Sequence, residues 1–178
     1  MYFIGEIHMK SLKVLASGMI LFGLMLCAPK ANAESLSNNL TSETTANVTQ
    51  VTNNKSNAKA FIDQGFDLLD KKNYREAIKA FSQGLSLAPD NPYGYLGRGI
   101  AYFSVKEYQS ARSDFGQSIT IDGNIAYAYL FRGMSHFALG SKEPAISDLE
   151  TAANLFDKDG EKEMAEQARD TIKQIRNS

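Results

Sequence analysis

Beyond residue 57, apolar residues recur three and four positions apart in six stretches: 58–71, 74–87, 92–105, 108–121, 126–139 and 142–155. That spacing predicts amphipathic helices, each with one face turned inward. Asn91 before Pro92 supplies a cap and a pre-set first helical residue. Gly140 falls where a left-handed turn residue is expected. In 160–178, Met164, Ala168, Ile172 and Ile175 form one stripe, opposite Glu161, Glu163, Glu166, Asp170 and Lys173. This predicts a last amphipathic helix that covers the end of the preceding ones. Residues 34–57 lack such a pattern. Fifteen of these 24 residues are Ser, Thr or Asn, and none is aromatic. They are expected to be a disordered tether, because they bury too little to offset ordering entropy.

Shifting the helical region by 34 residues aligns it with itself. Gly65, Gly99 and Gly133 form one column, and Ala77, Ala111 and Ala145 another. Phe61, Tyr95 and Tyr129 form a third, and Phe81, Phe115 and Leu149 a fourth. Pro89 closes the first unit. The units are 58–91, 92–125 and 126–159, each one pair of helices. The columned glycines and alanines mark where two helices approach closely, and the aromatics at Phe61, Tyr95 and Tyr129 are expected to fill the space between units. One such pair leaves an apolar face open, so stacking is required.

An aromatic, then glycine four residues on, then alanine, aromatic and proline at these intervals resembles the tetratricopeptide repeat (TPR) family. The resemblance covers 102 residues. It implies an all-α, right-handed solenoid of three helix-turn-helix repeats, closed by a capping helix. There are departures. The family's leucine before the glycine is Gln64, Arg98 and Arg132; its closing proline is Gly123 in the second unit and Asp157 in the third.

In the family, the first helix of each unit lines a concave surface. Positions two, five, nine and twelve share one stripe on that helix. Here they are Lys59, Ile62, Phe66 and Leu69; Tyr93, Leu96, Ile100 and Phe103; and Tyr127, Leu130, Met134 and Phe137. Eleven of the twelve are apolar or aromatic. The lysines, arginines and asparagines with which some relatives grip carboxylates are missing. The expectation is an apolar groove for a protein partner's extended or helical segment. A second copy of the chain, or the chain's own tether or cap, would fit it as well.

Arg98 and Arg132 are 34 apart, as are Asp114 and Asp148. The first unit has Gln64 and Ala80 in those columns, so arginine and aspartate come and go together. This favours Arg98–Asp114 and Arg132–Asp148 pairs joining the helices of a unit over an anion-binding arginine row. His136, in the column of Leu68 and Tyr102, is expected at a core or boundary position. Gly94, Gly97 and Gly99 have the wrong spacing for a dinucleotide loop, and Gly133-Met134-Ser135-His136 lacks the second glycine of a nucleophile elbow. With one cysteine and two histidines the sequence offers no metal site, catalytic centre or cofactor loop. Nineteen basic against 20 acidic residues leave no footprint for nucleic acid.

Residues 1–33 read as a secretory signal peptide, with Met9 as an alternative start. Lys10 and Lys13 precede an apolar run, Val14 to Cys27, and Ala31-Asn32-Ala33 forms a cleavage-type triplet. The run is short for a membrane span. An uncleaved anchor and a lipid on Cys27 are the alternatives. Leu26 stands where lipoprotein signals have a small residue. Cleavage would remove the only cysteine and His8, with no membrane insertion afterwards. The Asn-x-Ser/Thr triplets at Asn39, Asn47 and Asn54 fit chance in an Asn/Thr-rich stretch.

The expectation is therefore an exported, non-catalytic adaptor or assembly factor, periplasmic or in an equivalent lumen. The alternative is a self-associating structural protein that buries the groove in a homodimer.

Overall fold

The computed structural model describes residues 40–178, with side chains from residue 54 onward. The proposed leader and residues 34–39 lie outside the described residues. The chain divides into two units, residues 1–56 and 57–178. Among the described residues all regular structure is helical: α1 (Leu40–Asp70), α2 (Tyr74–Leu87), α3 (Pro92–Ser104), α4 (Tyr108–Ile121), α5 (Ala126–Ala138), α6 (Lys142–Lys158) and α7 (Lys162–Arg176). Residues 40–57, expected as a disordered tether, are instead the first part of α1. No Gly or Pro occurs between residues 34 and 57. A helix already nucleated therefore propagates backward, one hydrogen bond per residue ordered.

From α2 to α7 each helix packs on the next, and α3 also packs on α5. Phe66 of α1 meets Phe81 of α2. The glycine columns explain the close approach. A Cβ on Gly65 would lie 2.6 Å from the Phe81 ring, and one on Gly99 would lie 2.6 Å from the Phe115 ring. Gly133 stands 3.0 Å from the carbonyl of Ala145 by the same measure. Phe81, Phe115 and Leu149 are fully buried in the space so provided, with Ala77, Ala111 and Ala145 beside them. Burying one such side chain contributes about 1.5–3 kcal/mol. The first-helix aromatics Phe61, Tyr95 and Tyr129 do not plug the interior: all three are half-buried.

Two kinds of connector alternate along the stack. Between α2 and α3, and between α4 and α5, four residues intervene and none is left-handed. At the first of these, Asn91 Oδ1 accepts from the Gly94 N–H at 2.9 Å, with Pro92 opening the helix. The turns after α1, α3 and α5 are three residues long. Their middle residues Lys72, Lys106 and Gly140 have φ of 60°, 65° and 81°. The next N–H then donates five residues back, Asn73 to Leu68, Glu107 to Tyr102 and Ser141 to His136, each at 2.9 Å.

The last turn departs from the alternation. α6 runs to Lys158, a turn beyond the expected 155, and is followed by Gly160 at φ 81°. The Glu161 N–H donates to Phe156 O at 2.8 Å. That is the turn found within a unit, not the one between units. So α7 follows α6 as a second helix follows a first. It lays Ala165, Ala168, Ile172 and Ile175 inward and packs on α6. The Tyr127 hydroxyl ties it down by donating to Glu161 Oε2 at 3.2 Å, as do Arg169 with Asp157 and Arg176 with Glu150.

Candidate functional site

The apolar stripe is placed differently from the expected open groove. Ile62, Phe66, Leu69, Leu96, Ile100, Phe103, Tyr127 and Leu130 are all buried in the chain itself. Phe66 sits edge-on to Phe81, with centroids 5.1 Å apart. Phe103 sits edge-on to Tyr108 of its own unit and Phe131 of the next, at 5.2 and 6.0 Å. Tyr127 meets Phe156 at 5.0 Å. Positions five, nine and twelve thus face the unit's own second helix and the following unit. Unbroken apolarity at these positions is the signature of a core face. Of the eleven apolar positions, Tyr93 and Met134 are half-buried and Phe137 is exposed, at 41%.

The exposure of Phe137 has a sequence cause. Phe103, one unit earlier, is covered by Tyr108 and Phe131. The residues 34 positions further on, which would cover Phe137, are Lys142 and Ala165. By register an amine and a methyl replace the two aromatic rings. The intra-unit turn after α6 adds to this, since α7 packs on α6 and follows it as a second helix would. Met134, one turn before Phe137 on α5, is left half-open with it. Reading the columns through positions 142 and 165 would have shown that only this end of the stripe is free.

The other side of the first helices carries a polar arrangement. Arg98 Nε and Nη2 donate to the two carboxylate oxygens of Asp114 at 2.8 and 2.9 Å. Its Nη1 donates to Ser82 Oγ at 3.1 Å. Arg132 Nε and Nη2 hold Asp148 in the same fork, at 2.8 and 2.7 Å. Each guanidinium lies over the ring of the tyrosine three residues earlier, Tyr95 at 5.6 Å and Tyr129 at 5.5 Å. Both aspartates are buried, so each requires its arginine. The hydrogen bonds from the arginines to their aspartates hold both guanidinium pKa values above the ordinary value.

His136 stands at this boundary, half-buried, with Nε2 3.9 Å from Asp148 Oδ2. Its Nδ1 is buried with no partner among the described residues. Burial lowers the imidazole pKa. Asp148 opposes this, while Arg112 and Arg132 add to it. Arg112, on α4, was not singled out from the sequence. Burial, and next the Glu161 charge, push the Tyr127 phenol up to about 12. Among the described residues no group of histidines, cysteines and carboxylates is placed to hold a metal ion. No described helix is long and apolar enough to cross a membrane.

Comparison with known proteins agrees with this architecture. A family model for the TPR repeat matches residues 65–106. No curated protein matches the chain significantly. Among solved structures, the first TPR of Spaghetti (RPAP3) bound to the HSP90 peptide SRMEEVD is 27% identical with a TM-score of 0.62. The match covers 69% of this chain and 93% of that one. The second TPR domain of human RPAP3 in complex with the HSP70 peptide SGPTIEEVD is 25% identical, TM-score 0.59, covering 69% and 98%. The Arabidopsis OM64 TPR domain is 21% identical, TM-score 0.63, covering 68% and 98%. The chain thus carries a TPR repeat at residues 65–106, within the helical fold of TPR domains.

Proposed function

We propose that this chain is a non-catalytic protein-interaction module, an adaptor or assembly factor, that holds an apolar segment of a partner protein at the open end of its apolar stripe. The observation that carries the reading is Phe137, 41% exposed beside half-buried Met134, while equivalent Phe103 is 7% exposed. A large apolar side chain left uncovered at one place in an otherwise closed stripe marks an attachment point. A flexible thioether beside a ring suits an apolar side chain of varied shape. The likeness to domains solved with bound HSP90 and HSP70 peptides supports peptide capture as the mode, and the TPR fold supports binding rather than catalysis. The leader-like residues 1–33 support action on the exported side.

The test uses the whole chain and a Phe137→Glu variant as baits in an extract of exported and membrane proteins. Phe137 is exposed, so the variant should keep its helicity by circular dichroism. Partners held by the first and lost by the second support the reading. Identical recoveries overturn it. A mass that rises with concentration and stops rising in the variant would replace the partner with a second copy of the chain.

A further inference from the structure

The two unit junctions are built on one frame. At the first, Arg98 of α3 binds Ser82 of α2 and Asp114 of α4 over the ring of Tyr95, with Ile78 one turn before Ser82 and Tyr102 one turn after Arg98. At the second, 34 residues on, the same places hold Arg112 and Gly116 of α4, Tyr129, Arg132 and His136 of α5, and Asp148 of α6. Tyrosine, arginine and aspartate are kept. Three positions change: isoleucine to arginine, serine to glycine, tyrosine to histidine.

The changes alter what the arginine has left to give. Arg98 uses all three nitrogens, two on Asp114 and Nη1 on Ser82 Oγ. Arg132 uses Nε and Nη2 on Asp148, and its Nη1 has no partner among the described residues. Gly116 takes the place of the missing hydroxyl, and a Cβ there would meet nothing within 4 Å. Arg112 stands one helical turn before Gly116 on α4, where the first junction has apolar Ile78. It makes no hydrogen bond or ion pair with any described residue, yet it is close enough to act on His136. His136 brings a ring in place of Tyr102, with Nδ1 buried and unpartnered. Two guanidinium groups against one buried carboxylate leave one positive charge, beside a notch formed by the open space over Gly116.

From this geometry we infer that the second junction binds a carboxylate of an acidic peptide segment, received by Arg132 Nη1 and Arg112 above Gly116. A single surplus charge matches a carboxylate better than a dianionic phosphate. A guanidinium already fixed by a fork to Asp148 and a tyrosine face needs little further ordering to donate once more. The notch is distinct from the apolar end of the stripe. A small peptide tests it without any identified partner, so its failure and that of the proposed function are separable.

The experiment is an NMR titration of the full chain with acetyl-Ala-Glu-Ala-Glu-Ala-amide, and with the same peptide carrying Gln for Glu. The His136 ring and the Gly116 amide are the reporters. The glutamate peptide should move both signals saturably and the glutamine peptide should not. Arg112→Gln and Gly116→Ser should each weaken binding about fivefold or more, as expected for one charge-assisted contact. Gly116→Ser projects its side chain into open space and returns the hydroxyl found at the first junction, so folding is not at issue. The converse variant Ile78→Arg/Ser82→Gly should open a second site. Equal response to the two peptides, or unchanged affinity in both single variants, would overturn the inference.

Discussion

Gly97 lies so close to Phe81 that a Cβ on it would stand 2.3 Å from the ring's Cζ. The ring belongs to α2 and is fully buried, with Gly65 of α1 against its edge as well. Phe81 thus fills a slot made by two glycines, one in its own unit and one in the next. Gly97→Ala has nowhere to put a methyl group. It should destabilise the fold by about 1–3 kcal/mol, as overpacking does. Phe81→Ala should cost about 3–5 kcal/mol. Urea denaturation followed by circular dichroism measures both.

Lys72 and Lys106 occupy the left-handed turn positions that Gly140 and Gly160 hold elsewhere. A side chain there costs roughly 1–2 kcal/mol relative to a right-handed residue. Glycine relieves that cost but adds unfolded-chain entropy. Lys72→Gly and Lys106→Gly should each raise stability by about 0.5–1 kcal/mol. The same change at exposed Lys79, in the middle of α2, should lower it, which separates turn relief from loss of a lysine.

Lys142→Tyr should return to Phe137 the ring that Tyr108 offers Phe103 at 5.2 Å. An aromatic pair of this kind contributes about 0.5–1.5 kcal/mol. If Phe137 is the attachment point, the same variant should bind its partner less well while being more stable. Thermal unfolding and a pull-down on one preparation read both effects.

The lowered pKa of His136 gives stability a pH dependence of known sign. The unfolded imidazole takes its proton near pH 6.5 and the folded one only below that. Between those two values the unfolded state binds more protons. Stability is therefore full above pH 6.5, falls as pH drops toward the folded pKa, and levels off beneath it. His136→Tyr, the residue of the preceding unit, should remove this component from a plot of urea midpoint against pH.

Tyr127→Phe removes the hydroxyl that donates to Glu161 at 3.2 Å where α7 begins. The ring keeps its contact with Phe156. The loss should be about 0.5–1.5 kcal/mol. It should show first as faster amide exchange in α7, since that helix forms the end of the stack.

The period of 34 was legible because it is written in small residues. Gly65 and Gly99 can be nothing larger without collision, and spacing alone reveals them. The direction in which the stripe of Leu96 and Ile100 faces was not legible in the same way. Helical spacing groups residues on a face but does not say whether another helix covers it. Family position suggested open, while the residues' own apolarity pointed to buried, and burial is the outcome. The uncovered end depended on pairings between helices, Phe137 against positions 142 and 165. These show only once the unit before them reveals what the covering residues should be. The backward extension of α1 through an Asn/Thr-rich stretch was hidden for a different reason. Composition reports what a segment can bury, not whether a neighbouring helix will propagate into it.

The hairpin at Gly160 also bears on how the stack could be lengthened. Duplicating residues 92–125 would insert another storey between two connectors of the four-residue kind, at 88–91 and 122–125, and leave the order of the later helices unchanged. A storey joined directly after Lys158 would meet the three-residue turn of a unit's interior instead, and would need a four-residue connector in its place.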